Sequence, residues 1–125
     1  MNPSNHPAAV VQRQLDAYNA HDLAALMATY ADNAEQFEHP SRLLASGVAE
    51  IRGRFLTRFE EPNLHAHLLN RIVCGNLVID QEKVTRTFPE GPGHLDLVAI
   101  YEVLDGKITR AWFMTGAKTL AVTSQ

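Results

Sequence analysis

With 125 residues, 46% of them hydrophobic, the chain has the length and apolar content for one compact core, so a single domain over residues 1–125, with its core at about 8–122, is expected without disulfide or metal staples. Eleven Lys and Arg against fourteen Asp and Glu give a formal charge of -3, and the basic residues are scattered, which excludes the electrostatic footprint of a nucleic-acid surface. No apolar run reaches the ~20 residues of a membrane span, the opening MNPSNHPAAVVQRQ lacks the basic flank and apolar stretch of a secretory signal, and the single Cys74 cannot close an internal disulfide; a soluble, cytoplasmic protein with no membrane partner is the expectation.

Residues 7–30 carry two apolar stripes at helical spacing, Val11, Leu15 and Tyr18, then Leu23, Leu26, Met27 and Tyr30. Asn19-Ala20-His21-Asp22 separates them, Pro7 suits a first helical turn, and the Asp22 carboxylate is a good N-cap, so two helices joined by a tight bend are predicted. After Ala31-Asp32-Asn33, residues 35–38 read as a short strand delivering His39-Pro40, followed by a loop. Ser46 is expected to cap a third helix through Val48, Ile51, Phe55 and Phe59, stopped by Pro62.

From Leu64 onward, β-branched and apolar residues alternate with polar ones, punctuated by Gly and Asn at hairpin spacing. Strands are predicted over residues 64–73, 77–88, 94–104 and 107 to about Val122, with Asp105-Gly106 as a tight turn at positive φ. Three helices followed by this antiparallel meander must bury the helical stripes on one sheet face. A strongly bent sheet around a helix leaves a conical hollow, where a small ligand would sit.

Several strings carry a resemblance: AYNAHDLAALMATYADNAEQFEHP, the helical GVAEIRGRF, LLNRIVCGNLVIDQEKV and the terminal AIYEVLDGKITRAWF, together spanning about Val11 to Phe113. In these the chain resembles the SnoaL-like branch of the nuclear transport factor 2 superfamily, which includes polyketide cyclases and ketosteroid isomerases. The resemblance implies an α+β fold, a cone-shaped, cystatin-like roll with three N-terminal helices on a strongly curved antiparallel sheet. Carried onto the isomerase machinery, His39 falls at the place of the carboxylate base, Gln14 at that of the oxyanion-hole tyrosine and Ala99 at that of the protonated aspartate. Both donors for a dienolate are therefore missing, which argues against a steroid isomerase. The chain also contains no Arg-x-Asp, which disfavours epoxide hydrolysis of the limonene type. The same likeness places Leu97, Ala99, Ala111 and Phe113 toward the pocket and Trp112 on the outer face.

His39 is the candidate acid or base, at the rim of the cone near Tyr30 and Phe37, against the blander reading of a loop histidine bonded to backbone. Asp80 and Glu82 share a strand face and Arg71 lies across the hairpin, so this cluster either polarises a substrate in the pocket or makes a surface ion pair. His65 and His67 also share a face and would need His94 or Glu82 to complete a metal site; exposed strand residues are the better account, and no metal or other cofactor is expected. Outward Trp112 with Val98 and Ile100 would make an apolar convex patch suited to a homodimer. Three functions follow: cofactor-free acid–base isomerisation, cyclisation or dehydration of a small apolar carbonyl compound; binding of a hydrophobic metabolite without chemistry; or protein association through the convex face.

Overall fold

The structure, a computed structural model, describes residues 5–121. Helix α1 (Pro7–Asn19) places Pro7 in its first turn, where the missing amide hydrogen costs no bond, and buries Val10, Val11, Gln14, Leu15 and Ala17. The turn that follows puts His21 at φ 54°, and the Asp22 carboxylate accepts from the Ala25 amide at 3.0 Å to start α2 (Leu23–Met27). This turn is also docked onto the sheet. The Asn19 carboxamide both donates to the Ala66 carbonyl (2.9 Å) and accepts from the Ala66 amide (2.7 Å), and a His21 ring nitrogen lies 2.9 Å from the Leu64 carbonyl.

Two local expectations are corrected by pairing. The second helix stops before Tyr30, because the chain there already runs as β1 (Tyr30–Glu38), a longer strand than the 35–38 segment expected. The segment read as a loop forms β2 (Arg42–Ser46), antiparallel to β1. Ser46 thus ends a strand and is not a helix cap; α3 (Val48–Arg58) starts at Gly47, whose φ of 86° turns the chain, while the Glu50 carboxylate accepts from the Ser46 amide at 2.7 Å.

The remaining strands are β3 (His65–Cys74), β4 (Leu77–Phe88), β5 (Gly91–Leu104) and β6 (Lys107–Leu120). Gly75 (φ 58°) turns the first hairpin, and Asp105 (φ 52°) with Gly106 (φ 76°) turns the last, as the Asp-Gly pair requires. β5 starts at Gly91 rather than His94; Val122, expected at the end of β6, lies outside the described residues. The six-stranded order is β2-β1-β6-β5-β4-β3. All pairs are antiparallel except β1 with β6, so the sheet is mixed, not wholly antiparallel. A strand that precedes α3 and the meander can lie beside the final strand in this direction only through such a long connection.

Register shifts at Gln36/Phe37, Leu68/Asn70, Leu95/Leu97 and Glu102/Val103 mark bulges, which bend strands and tighten twist. The sheet therefore curls around α1 and α3 without closing. Alternation separates the two faces. Val78, Asp80, Glu82 and Val84 of β4, with Ala99, Tyr101 and Val103 of β5, are buried on the concave side, where Val10, Val11, Leu26, Ile51 and Ile108 fill the narrow end. On the convex side one row crosses five strands in register: Ile72 opposite Ile79, Ile79 opposite Ile100, Ile100 opposite Trp112, and Trp112 opposite Phe37. The Phe37 and Trp112 rings stack at 5.8 Å, while Ile72 is 53% exposed. Among the described residues no helix is long and apolar enough to cross a membrane.

Candidate functional site

The concave face holds a cavity of about 270 Å³, just under the ~300 to 1,000 Å³ usual for small-molecule sites. A second hollow of about 350 Å³, beside α2 and the start of α3, is more open, and Asp32 and Arg52 are the charged residues that line it. The conical cavity is the chemically furnished one. Its walls come from α1 (Gln14, Leu15, Tyr18), α3 (Arg54, Phe55, Arg58) and the inner positions of the sheet.

Glu82 is the centre of its chemistry. It lines the cavity at 4% exposure, between the buried Asp80 and Val84 on the inward side of β4 and opposite Leu97 of β5. No hydrogen bond from another described residue reaches its carboxyl. Burial, and then the neighbouring Asp80 charge, push its pKa up from 4.5 to about 7, with Arg71 pulling the other way. Arg71 does not neutralise Glu82, because its fork is closed on Asp80: Nε donates to Oδ1 at 2.7 Å and Nη2 to Oδ2 at 3.0 Å, while Nη1 donates to Gln12 at 2.9 Å. Asp80, fully buried, stands beside Glu82 as a like charge held in place. Two carboxyls two residues apart on one strand thus acquire different roles, one fixed by an arginine and one open to the cavity.

Phenols surround this group. Burial raises the Tyr18 hydroxyl to about 12 and lifts Tyr101 well above its usual range, so both line the cavity as neutral donors. Tyr30 is buried behind them, its oxygen accepting from Gln36 Nε2 at 3.4 Å, and Gln36 Oε1 in turn accepts from Arg54 at 2.8 Å. Gln14, 5% exposed, presents an Oε1 with no hydrogen-bond partner. Arg54, Arg58 and Arg86 line the cavity half-buried; Arg86 makes a two-pronged bond to Glu61 at 2.9 and 2.8 Å.

The residues singled out from sequence are distributed over both faces. Glu82, Leu97 and Phe113 line the cavity, and Tyr101 meets Phe113 edge-on at 6.3 Å. Ala99 is wholly buried, and the Arg71–Asp80 pair supports Glu82 from behind. Phe37 lies against Trp112, whereas its neighbour Gln36 lines the cavity. His39 corrects the expected assignment: it is exposed on the turn after β1, its amide donates to the Phe113 carbonyl at 2.9 Å, and it is not among the lining residues. His65 and His67 are exposed beside buried Ala66, on the opposite face from Glu82, and among the described residues no group of three or more His, Cys, Asp or Glu could hold a metal ion. Sequence reading missed Arg54, Arg58, Arg86 and Gln36. The signal for the first two was present, since positions 54 and 58 share a helix face with Ile51 and Phe55.

The model of the SnoaL-like domain matches residues 11–111, and the chain belongs to that family. Among solved structures it is similar to an uncharacterised cystatin-fold protein of Novosphingobium aromaticivorans, with a TM-score of 0.78 and 24% identity over 86% of this chain and 96% of that one. It is also similar to a candidate polyketide cyclase of Sinorhizobium meliloti, with a TM-score of 0.69 and 26% identity over 83% and 92% of the two chains. A candidate ketosteroid isomerase of Kribbella flavida shares the fold at 16% identity, with a TM-score of 0.75 over 94% and 83%. No curated protein matches the chain.

Proposed function

We propose that the chain is a cofactor-free acid–base catalyst of isomerisation, cyclisation or dehydration on a small carbonyl compound, with Glu82 as the proton carrier. One observation carries the reading: a carboxyl that lines the cavity, accepts no hydrogen bond from another described residue and is pushed up to a pKa of about 7 by its burial. A group poised near the working pH can both remove and return a proton. Ionised Glu82 takes a proton from the carbon beside the carbonyl and becomes the neutral acid. The C–H electron pair passes into the enolate, whose oxygen accepts a hydrogen bond from Tyr101 or Tyr18, and Glu82–H then returns the proton at a second carbon or oxygen. The likeness to a candidate polyketide cyclase is compatible with enolate chemistry of this kind. We further propose that the protein is a cytoplasmic homodimer joined through the convex row centred on Trp112.

The test follows exchange of the α-protons of benzylacetone into heavy water by NMR. The wild type should accelerate exchange over buffer, and Glu82→Gln should remove about 10² to 10⁴ of that acceleration. The rate should rise with pH to a plateau above about 7, as the base ionises. Equal exchange in the two proteins rejects the catalytic role of Glu82 and leaves the cavity as a binding site for a hydrophobic metabolite.

A further inference from the structure

The polar lining of the cavity divides by burial in a way that the acid–base reading does not use. Glu82, Gln14 and Tyr101 are each at most 5% exposed. Arg54 and Arg58, one turn apart on the same face of α3, and Arg86 from β4 line the cavity half-buried. These three guanidiniums are poorly matched by carboxylates. Glu61 is bonded through both oxygens to Arg86 and also accepts from the Thr87 amide, leaving Arg58 a long 3.9 Å approach to it. Arg54 donates to the neutral Gln36, and among the described residues no carboxylate lies within ion-pair distance of it. Glu38, which also lines the cavity, is bonded to the exposed Arg42 at 3.2 Å.

Holding like charges together in a partly buried place is unfavourable unless an anion relieves it. Burial depresses the pKa of both arginines, and each is depressed further by the next in line, Arg54 by Arg58 and Arg58 by Arg86. The unpartnered, buried Gln14 Oε1 is a second, independent sign of a missing ligand atom, since buried polar atoms are rarely left without a hydrogen bond. A hydroxyl would satisfy it, and a carbonyl would do so with the amide turned over.

We infer that the ligand of this cavity is an organic carboxylate, its acid group seated between Arg54 and Arg58 and its carbonyl or hydroxyl end against Gln14 and Glu82. The guanidinium fork matches a planar carboxylate, and the apolar lining (Leu15, Phe55, Val84, Leu97) takes an apolar body. A phosphate dianion fits less well, because Glu38 and Glu82 line the same small space. The inference deepens the acid–base reading by naming the substrate class, and relies on that reading only for which end reacts.

The experiment measures binding of benzoate, phenylacetate and hydrocinnamate to the full chain near neutral pH, each against its primary amide, by calorimetry and thermal shift. At least one carboxylate should bind about tenfold or more tighter than its amide. The preference should vanish in Arg54→Gln/Arg58→Gln and return in part in the double Lys variant. It should persist in Glu82→Gln, so that failure of the proton-transfer reading leaves this result intact. Absence of a carboxylate preference in every pair, including no binding by either member, overturns the inference, as does a preference that survives loss of both arginines. Should the double Gln variant not fold, the wild-type comparison of acid with amide decides alone.

Discussion

Glu82 holds its proton because the cost of ionising it inside an apolar cavity, beside Asp80, exceeds what Arg71 returns. The sign of the stability effect follows. Between about pH 4.5 and about pH 7 the folded chain keeps a proton that the unfolded chain has released, so the stability contributed by this residue is full below 4.5 and is lost as pH rises through about 7. The shift corresponds to about 3 kcal/mol at most. Urea unfolding at about pH 5 and about pH 8 should therefore show the wild type losing up to that much relative to Glu82→Gln, whose neutral amide cannot titrate. Parallel behaviour of the two proteins would mean that Glu82 is ionised throughout and would remove the basis for its catalytic role. From sequence, Asp80 and Glu82 are interchangeable strand carboxylates; only the closing of the Arg71 fork on Asp80 tells them apart.

The link between α1 and α2 shows what a short polar string does at the scale of an element. Asn19-Ala20-His21-Asp22 is legible as a helix break with a cap, and Asp22 does cap α2. Its larger task is tertiary: Asn19 completes both backbone groups of Ala66 on the edge strand β3, and His21 stacks on Phe59 at 5.2 Å. Asn19→Ala should cost about 2–3 kcal/mol, because it strands a partly buried donor and acceptor, whereas Asp22→Ala should cost about 1 kcal/mol. Denaturant midpoints of the two variants check the order. A smaller loss for Asn19→Ala than for Asp22→Ala would show that the docking contributes little. The segment 42–46 failed as a strand reading because Arg-Leu-Leu-Ala-Ser has no period-2 pattern. Its partner β1 supplies the bonds that its own sequence does not advertise.

For the whole molecule, the convex row from Ile72 to Phe37 is an apolar stripe across five strands, with Ile72 53% exposed at one end. The proposed homodimer would set this stripe against its own copy across a two-fold axis. Sedimentation velocity should find the wild type dimeric, and Trp112→Lys or Ile72→Lys monomeric with an unchanged circular dichroism spectrum. Ile72 projects from the sheet without a stacking role, so its variant keeps the test clear of folding defects. A monomeric wild type would reject the convex-face dimer.

Periodicity and turn chemistry are local, so the sequence by itself determined the three helices, the four-stranded meander and its hairpins, and the strings from about Val11 to Phe113 that resemble the SnoaL-like family. The parallel partnership of β1 with β6, the strand β2 and the bulges that shape the cone depend on which distant segments meet, and only the tertiary structure decided them. The site divides in the same way. Alternation marked Asp80 and Glu82 as candidates, because a strand assigns its residues to faces regardless of what each face meets, while Leu97 came from the family likeness. Which carboxylate faces an open cavity, that His39 is exposed and outside its lining, and that two arginines of a helical stripe line it all depend on burial. Burial belongs to the assembled fold and not to any window of sequence.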